Sequence, residues 1–267
     1  NYRLVLSASP SLPIVYFTTN NKENPMSAPN YCMLLRKHIG NGRIIDVYQP
    51  EFERIIVIEI EHLNELGDLC RKRLIMELMG KHSNIIFVDD KDMIIDSIKH
   101  ISAQISSVRE VLPGRDYVVP PTKDKKSPLE IDKAYFMENV MVVGLDIQKA
   151  IYSHITGFSP IIAQDLCKRA NIVDTQLVED LNQEDKNRLY EEFVQLVSKI
   201  REEKFEPNII YNGKEPIEFS SVKLLMHHEF ETKEYSTISQ VLETYYSDLG
   251  ILTRKRKKSV DLRKIVS

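Results

Sequence analysis

CRKRLIMELMGKHSNIIFVDD, residues 70–90, decides how the first half of the chain folds. Its end is plain: NIIFVDD is a β-branched run closed by two aspartates, the mark of a strand entering a turn. Its start reads as a helix over roughly residues 70–80, stopped by Gly80. Between them Lys81, His82, Ser83 and Asn84 crowd hydrogen-bond donors into a short connection. Such a loop is either a plain polar link between helix and strand or a surface that faces a ligand.

Outward from this stretch, residues 1–120 read as α+β. LVLSA, IVYFTT, IIDVYQ, RIIVIEI and DYVV are further β-branched runs bounded by Asn, Asp, Pro or Gly. RIIVIEIEH alternates in part, as a strand with one wet face does. PNYCMLLRKHIGNG predicts a helix with Gly40 and Gly42 as its stop signals. VPPTKDKKSPLEIDK is rich in Pro and Lys and predicts a linker. The pattern then turns helical: YFMENVMVV, LDIQKAIYSHI, IIAQDLCKRA and EDKNRLYEEFVQLVSKIREE repeat apolar residues at three- and four-residue spacing. HITGFSPIIAQDLCKRA, residues 154–170, predicts two helices around a tight corner at Gly157, Phe158 and Ser159, with Pro160 opening the second. NIIYNGKEPIEFS returns to β as a hairpin about Asn212-Gly213. STISQVLETYYSDL predicts a helix with Ser236 as its N-cap. The order β-rich, helical, β-rich predicts a helical insert whose ends return to one sheet domain. Asn1 and the strand-like opening NYRLVLSASP predict a fragment of a longer protein.

Composition narrows the function. The chain has 267 residues, 42 % of them hydrophobic, which is enough for a substantial core. No run approaches the roughly 18–20 apolar residues that span a membrane. Three scattered cysteines, Cys32, Cys70 and Cys167, point to a reducing, cytoplasmic setting and form neither a disulfide scaffold nor a metal knuckle. A net charge of -3 argues against indiscriminate coating of nucleic acid, so any such binding must sit in local patches. No phosphate loop, zinc-protease, nucleophile-elbow or dinucleotide motif is present, and no metal, cofactor or catalytic residue is predicted.

The local patches are few. Arg36, Lys37 and His38 close a predicted helix, where they either complement its dipole or touch RNA phosphate. Glu53-Arg54 opens the strand RIIVIEI; the pair is either a surface ion pair or a place where the guanidinium forks to phosphate or stacks on a base. LPGR displays Arg115 on a Pro-Gly turn. The tail carries Arg254, Lys255, Arg256, Lys257 and Lys258 in a row, a solvated linker or a block of positive potential that favours RNA.

LVLSASPSLP, ENPMSAPNYCMLLRKHIGNGRI, LIMELMGKHSNIIFVDD, DSIKH and VLPGRDYVVPP, in this order, resemble the N-terminal part of the NFACT family, in its bacterial RqcH-like branch, historically called fibronectin-binding proteins. The resemblance runs from the first residue to the last. It implies an NFACT-N domain, similar to the N-terminal domain of formamidopyrimidine-DNA-glycosylase-like enzymes, over residues 1–122 with its start missing. It implies a helix-hairpin-helix domain over 123–206, a return segment of NFACT-N over 207–250, and the start of a coiled-coil arm over 251–267. The implied activity is that of a cytoplasmic, ribosome-associated quality-control factor. Such proteins bind the stalled large ribosomal subunit holding peptidyl-tRNA and recruit alanyl-tRNA for template-free alanine tailing. Ribosomal RNA does the peptidyl transfer, so the protein is not an enzyme.

The resemblance also implies roles for residues. Glu53 and Arg54 stand where the family has an Asp-Arg pair tied to tRNA engagement, with glutamate replacing aspartate. Lys81 stands where the family usually has Arg. Arg36, Lys37, His82, Ser83, Asn84 and Arg115 join them as tRNA contacts, Gly157, Phe158 and Ser159 form the hairpin turn, and Arg254 to Lys258 meet ribosomal RNA. Phosphate-gripping turns often read Gly-apolar-Gly, and Ser159 takes the second glycine's place. The older name leaves fibronectin as an alternative partner. DNA repair, the alternative from fold analogy, needs a nucleophilic N-terminal proline or equivalent, which a chain opening at Asn1 does not display.

Overall fold

The computed structural model describes residues 2–21, 23–120 and 125–250. The described residues fall into two compact units, one up to residue 120 and one from residue 125, with the end of β2 grouped in the second.

The first unit opens with a hairpin, β1 (Arg3–Ala8) and β2 (Pro13–Thr18), followed by helix α1 (Asn30–Ile39). A five-stranded antiparallel meander follows: β3 (Arg43–Tyr48), β4 (Ile55–Leu63), β5 (Leu69–Glu77), β6 (Asn84–Val88) and β7 (Ile94–Ser97). Alternation splits the apolar side chains between two layers. Ile58, Ile60, Leu74, Met76, Ile85 and Phe87 meet Ala8 of β1 and Tyr31, Leu34, Leu35 and Ile39 of α1. Ile55, Val57, Ile75, Ile86, Val88 and Ile94 form the other layer with Val111.

The helix expected over residues 70–80 is therefore a strand. Leu74, Ile75, Met76 and Glu77 are all buried, because β5 is central and covered on both faces. A strand covered on both faces loses its alternation, and Leu, Met, Glu and Arg are good helix formers, so local preference misleads. DYVV is not a strand either: Asp116 makes one isolated bridge to Met93, and the edge strand is β7 instead.

The second unit is built around the corner. A short turn, α2 (Lys133–Tyr135), continues into a π-helical turn over Phe136–Val140. Then come α3 (Ile147–His154), α4 (Pro160–Arg169) and α5 (Gln183–Arg201). Asp146, Ser159 and Asn182 cap the three helices, each side chain accepting from an amide of the first turn. Phe136, Phe158 and Phe193 form the aromatic centre of the core, with ring centroids 5.2 Å apart for Phe136–Phe193 and 5.9 Å for Phe158–Phe193.

Residues 208–234 form their own antiparallel sheet in the order β10-β8-β9, from β8 (Asn208–Asn212), β9 (Glu215–Ser220) and β10 (Glu231–Glu234). Its Ile210, with Val222 and Leu224, packs on Ile161 and Ile162 of α4 and Leu196 of α5. The β8–β9 hairpin turns at Gly213, φ 61°. A final helix occupies residues 238–250. Its N-cap is Thr237 rather than Ser236: Thr237 Oγ1 accepts from the Gln240 amide at 3.2 Å, and Gln240 Oε1 accepts from the Ser236 amide at 3.2 Å.

Candidate nucleic-acid interface

Register places the candidate residues at two ends of the five-stranded sheet. Ile55, which opens β4, faces Glu77 at the end of β5, and Glu77 faces Asn84 at the start of β6. Arg54 and the 80–84 loop therefore share one sheet end, tied by the Leu78 amide donating to the Arg54 carbonyl at 2.9 Å. Arg36 and Lys37 lie at the other end, in the last turn of α1, beyond which Arg43 pairs with Glu61 late in β4. The nine residues of β4 separate the two ends by roughly 27 Å, at about 3.4 Å per residue. Arg115 belongs to neither group. Its carbonyl accepts from the Ile94 amide at the start of β7, and its guanidinium pairs with Glu110 at 3.2 Å.

The Arg54 end is built on a strained turn. Pro50–Phe52 forms a single 3-10 turn in which Glu51 and Phe52 have φ of 46° and 65°. Two consecutive non-glycine residues in the left-handed region are costly, and such strain gathers at functional sites. The turn closes through the Glu53 amide donating to the Pro50 carbonyl at 2.8 Å, while Gln49 Nε2 donates to the Glu53 carbonyl. Arg54 follows directly, exposed, and its guanidinium has no partner among the described residues. No ion pair joins it to Glu53, so that reading of the dipeptide is not realised.

The GKHSN loop divides in two. Gly80, φ 56°, opens a 3-10 turn over Gly80–His82 that leaves Lys81 and His82 exposed. Ser83 and Asn84 are 0 % and 2 % exposed, so their expected contact with RNA is corrected. Ser83 Oγ accepts from the Met79 amide at 2.8 Å. Asn84 Oδ1 accepts from the Ile85 and Lys99 amides at 2.9 and 3.0 Å, and its Nδ2 donates to the Lys99 carbonyl at 2.9 Å. Lys99 Nζ donates to the carbonyls of Ser83 and Ala8, both at 2.7 Å. Lys99 thus holds the loop, and DSIKH was its only sequence signal. Beneath it Glu77, fully buried, accepts from Arg109 and, at 3.0 Å, from the Tyr117 hydroxyl. Burial, then the neighbouring Glu77 charge, pushes the Tyr117 phenol up.

At the corner, Gly157 takes φ 78° and Phe158 is 7 % exposed, packed into the helical core. Ser159 Oγ accepts from the Ile162 amide at 3.3 Å, which occupies a donor that a phosphate would need. Arg254 to Lys258 lie outside the described residues.

The family model for NFACT N-terminal and middle domains matches residues 1–267. The chain belongs to the NFACT family. Its relatives include the Rqc2 homolog RqcH of Bacillus subtilis, 35 % identical over 268 residues, covering all of this chain and 45 % of that protein. The archaeal Rqc2 homolog aRqcH of Methanocaldococcus jannaschii is 26 % identical over 257 residues, covering 92 % of this chain and 36 % of that protein. This NFACT chain thus spans less than half the length of these relatives. Among solved structures, the fibrinogen-binding protein of Staphylococcus aureus superposes with a TM-score of 0.74 at 27 % identity, covering 92 % of this chain and 83 % of that one. The N-terminal part of the fibronectin/fibrinogen-binding protein of Streptococcus suis gives 0.70 at 26 % identity, with the same coverage. No helix among the described residues is long and apolar enough to cross a membrane.

Proposed function

We propose that this chain is the tRNA-engaging part of a ribosome-associated quality-control factor of the cytoplasm. It would bind the stalled large subunit with peptidyl-tRNA and position alanyl-tRNA for template-free tailing, with ribosomal RNA supplying the chemistry. The carrying observation is Arg54, an exposed guanidinium without a partner among the described residues, following a strained turn at the same sheet end as Lys81 and His82. A displayed guanidinium forks to phosphate or stacks on a base, and a turn held by its own hydrogen bonds loses little entropy on engagement. In this reading residues 1–122 and 207–250 are the NFACT-N parts, 123–206 the helix-hairpin-helix domain and 251–267 the start of the arm. The corner at Gly157–Ser159 packs beside bound tRNA without gripping it.

Arg54→Ala in the full-length protein should weaken tRNA binding and abolish alanine tailing with folding intact. Unchanged tail length on a stalled reporter refutes the assignment. Reversing the charges of Arg254 to Lys258 should reduce co-sedimentation with large subunits, with a defect that grows with salt. The names of the solved relatives favour a second reading, an adhesin for fibronectin. Sequencing RNA co-purified with the intact protein separates the two: enriched alanine tRNA and large-subunit RNA support the first, whereas fibronectin binding by intact cells without that RNA supports the second.

A further inference from the structure

At the sheet end away from Arg54, the last turn of α1 and the β4–β5 hairpin enclose an open cleft of about 380 Å³, lined by Lys37, His38, His62, Asn64, Glu65 and Lys72. Alternation puts His62 and Lys72 on the same face as Ile60 and Leu74, so they extend the α1-facing core outward as polar groups. His62 is 9 % exposed, and its Nδ1 lies 3.0 Å from the Leu63 carbonyl. The neutral tautomer with hydrogen on Nδ1 donates there and leaves Nε2 to accept from Lys72 Nζ at 2.6 Å. Lys72, half-buried, keeps two further N–H donors and has no carboxylate partner among the described residues.

The opposing charges are weak. Glu65 meets Lys37 at 3.2 Å but is 83 % exposed, and surface pairs of that kind contribute little. The C-terminal carbonyls of α1 disfavour an anion, and Arg36, Lys37 and His38 in the same turn offset them. Burial, then Lys72, Lys37 and His62, hold the His38 imidazole below its ordinary range against the pull of Glu65. Two lysines and one glutamate thus share the cleft with His38.

We propose that this cleft is a second anion site, taking a phosphate group between Lys37, His38 and Lys72. It deepens the tRNA reading without depending on Arg54. With the two ends roughly 27 Å apart along β4, the first unit would hold two separated backbone phosphates of one RNA. A free phosphate carries the same chemistry, and the test distinguishes the two sources.

The ring C–H signals of His38 and His62 are followed by NMR in the 267-residue chain as inorganic phosphate is added at constant ionic strength, with chloride as control. Both rings should shift saturably with phosphate. Lys72→Gln should weaken that binding at least tenfold, and Lys72→Arg should restore it. A tRNA transcript that moves the same rings identifies RNA backbone as the source; rings unmoved by bound tRNA but moved by phosphate identify a free phosphate. A drift no larger than with chloride, or a saturable shift that survives in a folded Lys72→Gln protein, overturns the proposal. Failure of tRNA to bind while phosphate moves both rings overturns the tRNA reading and leaves this site standing.

Discussion

Replacing Asn84 by alanine should destabilise the first unit by about 3 kcal/mol, from three lost hydrogen bonds at about 1 kcal/mol each. The amide of Ile85 and both the amide and carbonyl of Lys99 lose the partner that Asn84 provides at 2.9–3.0 Å. Asn84 is 2 % exposed, so water does not readily replace it. Lys99 would lose the anchor that aims its Nζ at the Ser83 and Ala8 carbonyls, and the 80–84 loop would loosen with it. Urea unfolding followed by far-UV circular dichroism measures the loss, and amide exchange over residues 78–86 localises it. Lys81→Ala is the contrast: an exposed side chain whose removal should stay within about 0.5 kcal/mol of wild-type stability while weakening tRNA binding. If Asn84→Ala unfolds like wild type and only RNA binding suffers, Asn84 belongs to the ligand surface and the division of the loop is wrong.

Glu77→Ala leaves Arg109, 14 % exposed, without its buried carboxylate and should cost about 3–5 kcal/mol, read as a fall in the urea midpoint. Burial pushes the Cys167 thiol up to about 12, so the unfolded chain releases that proton first as pH rises past 9. The stability it contributes is whole below pH 9, and the second unit should then lose about 1 kcal/mol between pH 9 and 10, the slope steepening toward about 1.4 kcal/mol per pH unit above pH 10 and absent in Cys167→Ala. Ser159→Gly should lower stability by only a few tenths of a kcal/mol and leave tRNA affinity unchanged in a filter-binding assay. Tighter binding would show that the corner grips phosphate after all.

How far the sequence is legible depends on how each element is buried. The strands over residues 55–63 and 84–88 and the helix over residues 30–39 are readable because β-branched runs or stop signals bound them. β5 is not, because both of its faces are covered and its residues favour helix when alone. Ser159 and Pro160 announce α4 through purely local chemistry. Thr237 displaces Ser236 as a cap: its Oγ1 accepts from the Gln240 amide, while the Gln240 side chain reaches back to the Ser236 amide.

By itself the sequence determined what local chemistry and family pattern can carry: an α+β chain of NFACT type, a helical corner, and Arg54 with Lys81 as displayed cations. Tertiary structure decided which donors remain free. Ser83 and Asn84 look like ligands in a string of polar letters, yet long-range contacts with Lys99 enclose them. Arg36 and Arg54 share the expectation of a tRNA contact, yet β4 holds them at opposite ends of the sheet. The left-handed turn at Glu51 and Phe52 has no signature in residue type, since it exists only where the surrounding fold over-determines the backbone. Burial and separation are properties of contacts distant in sequence, and no local pattern encodes them.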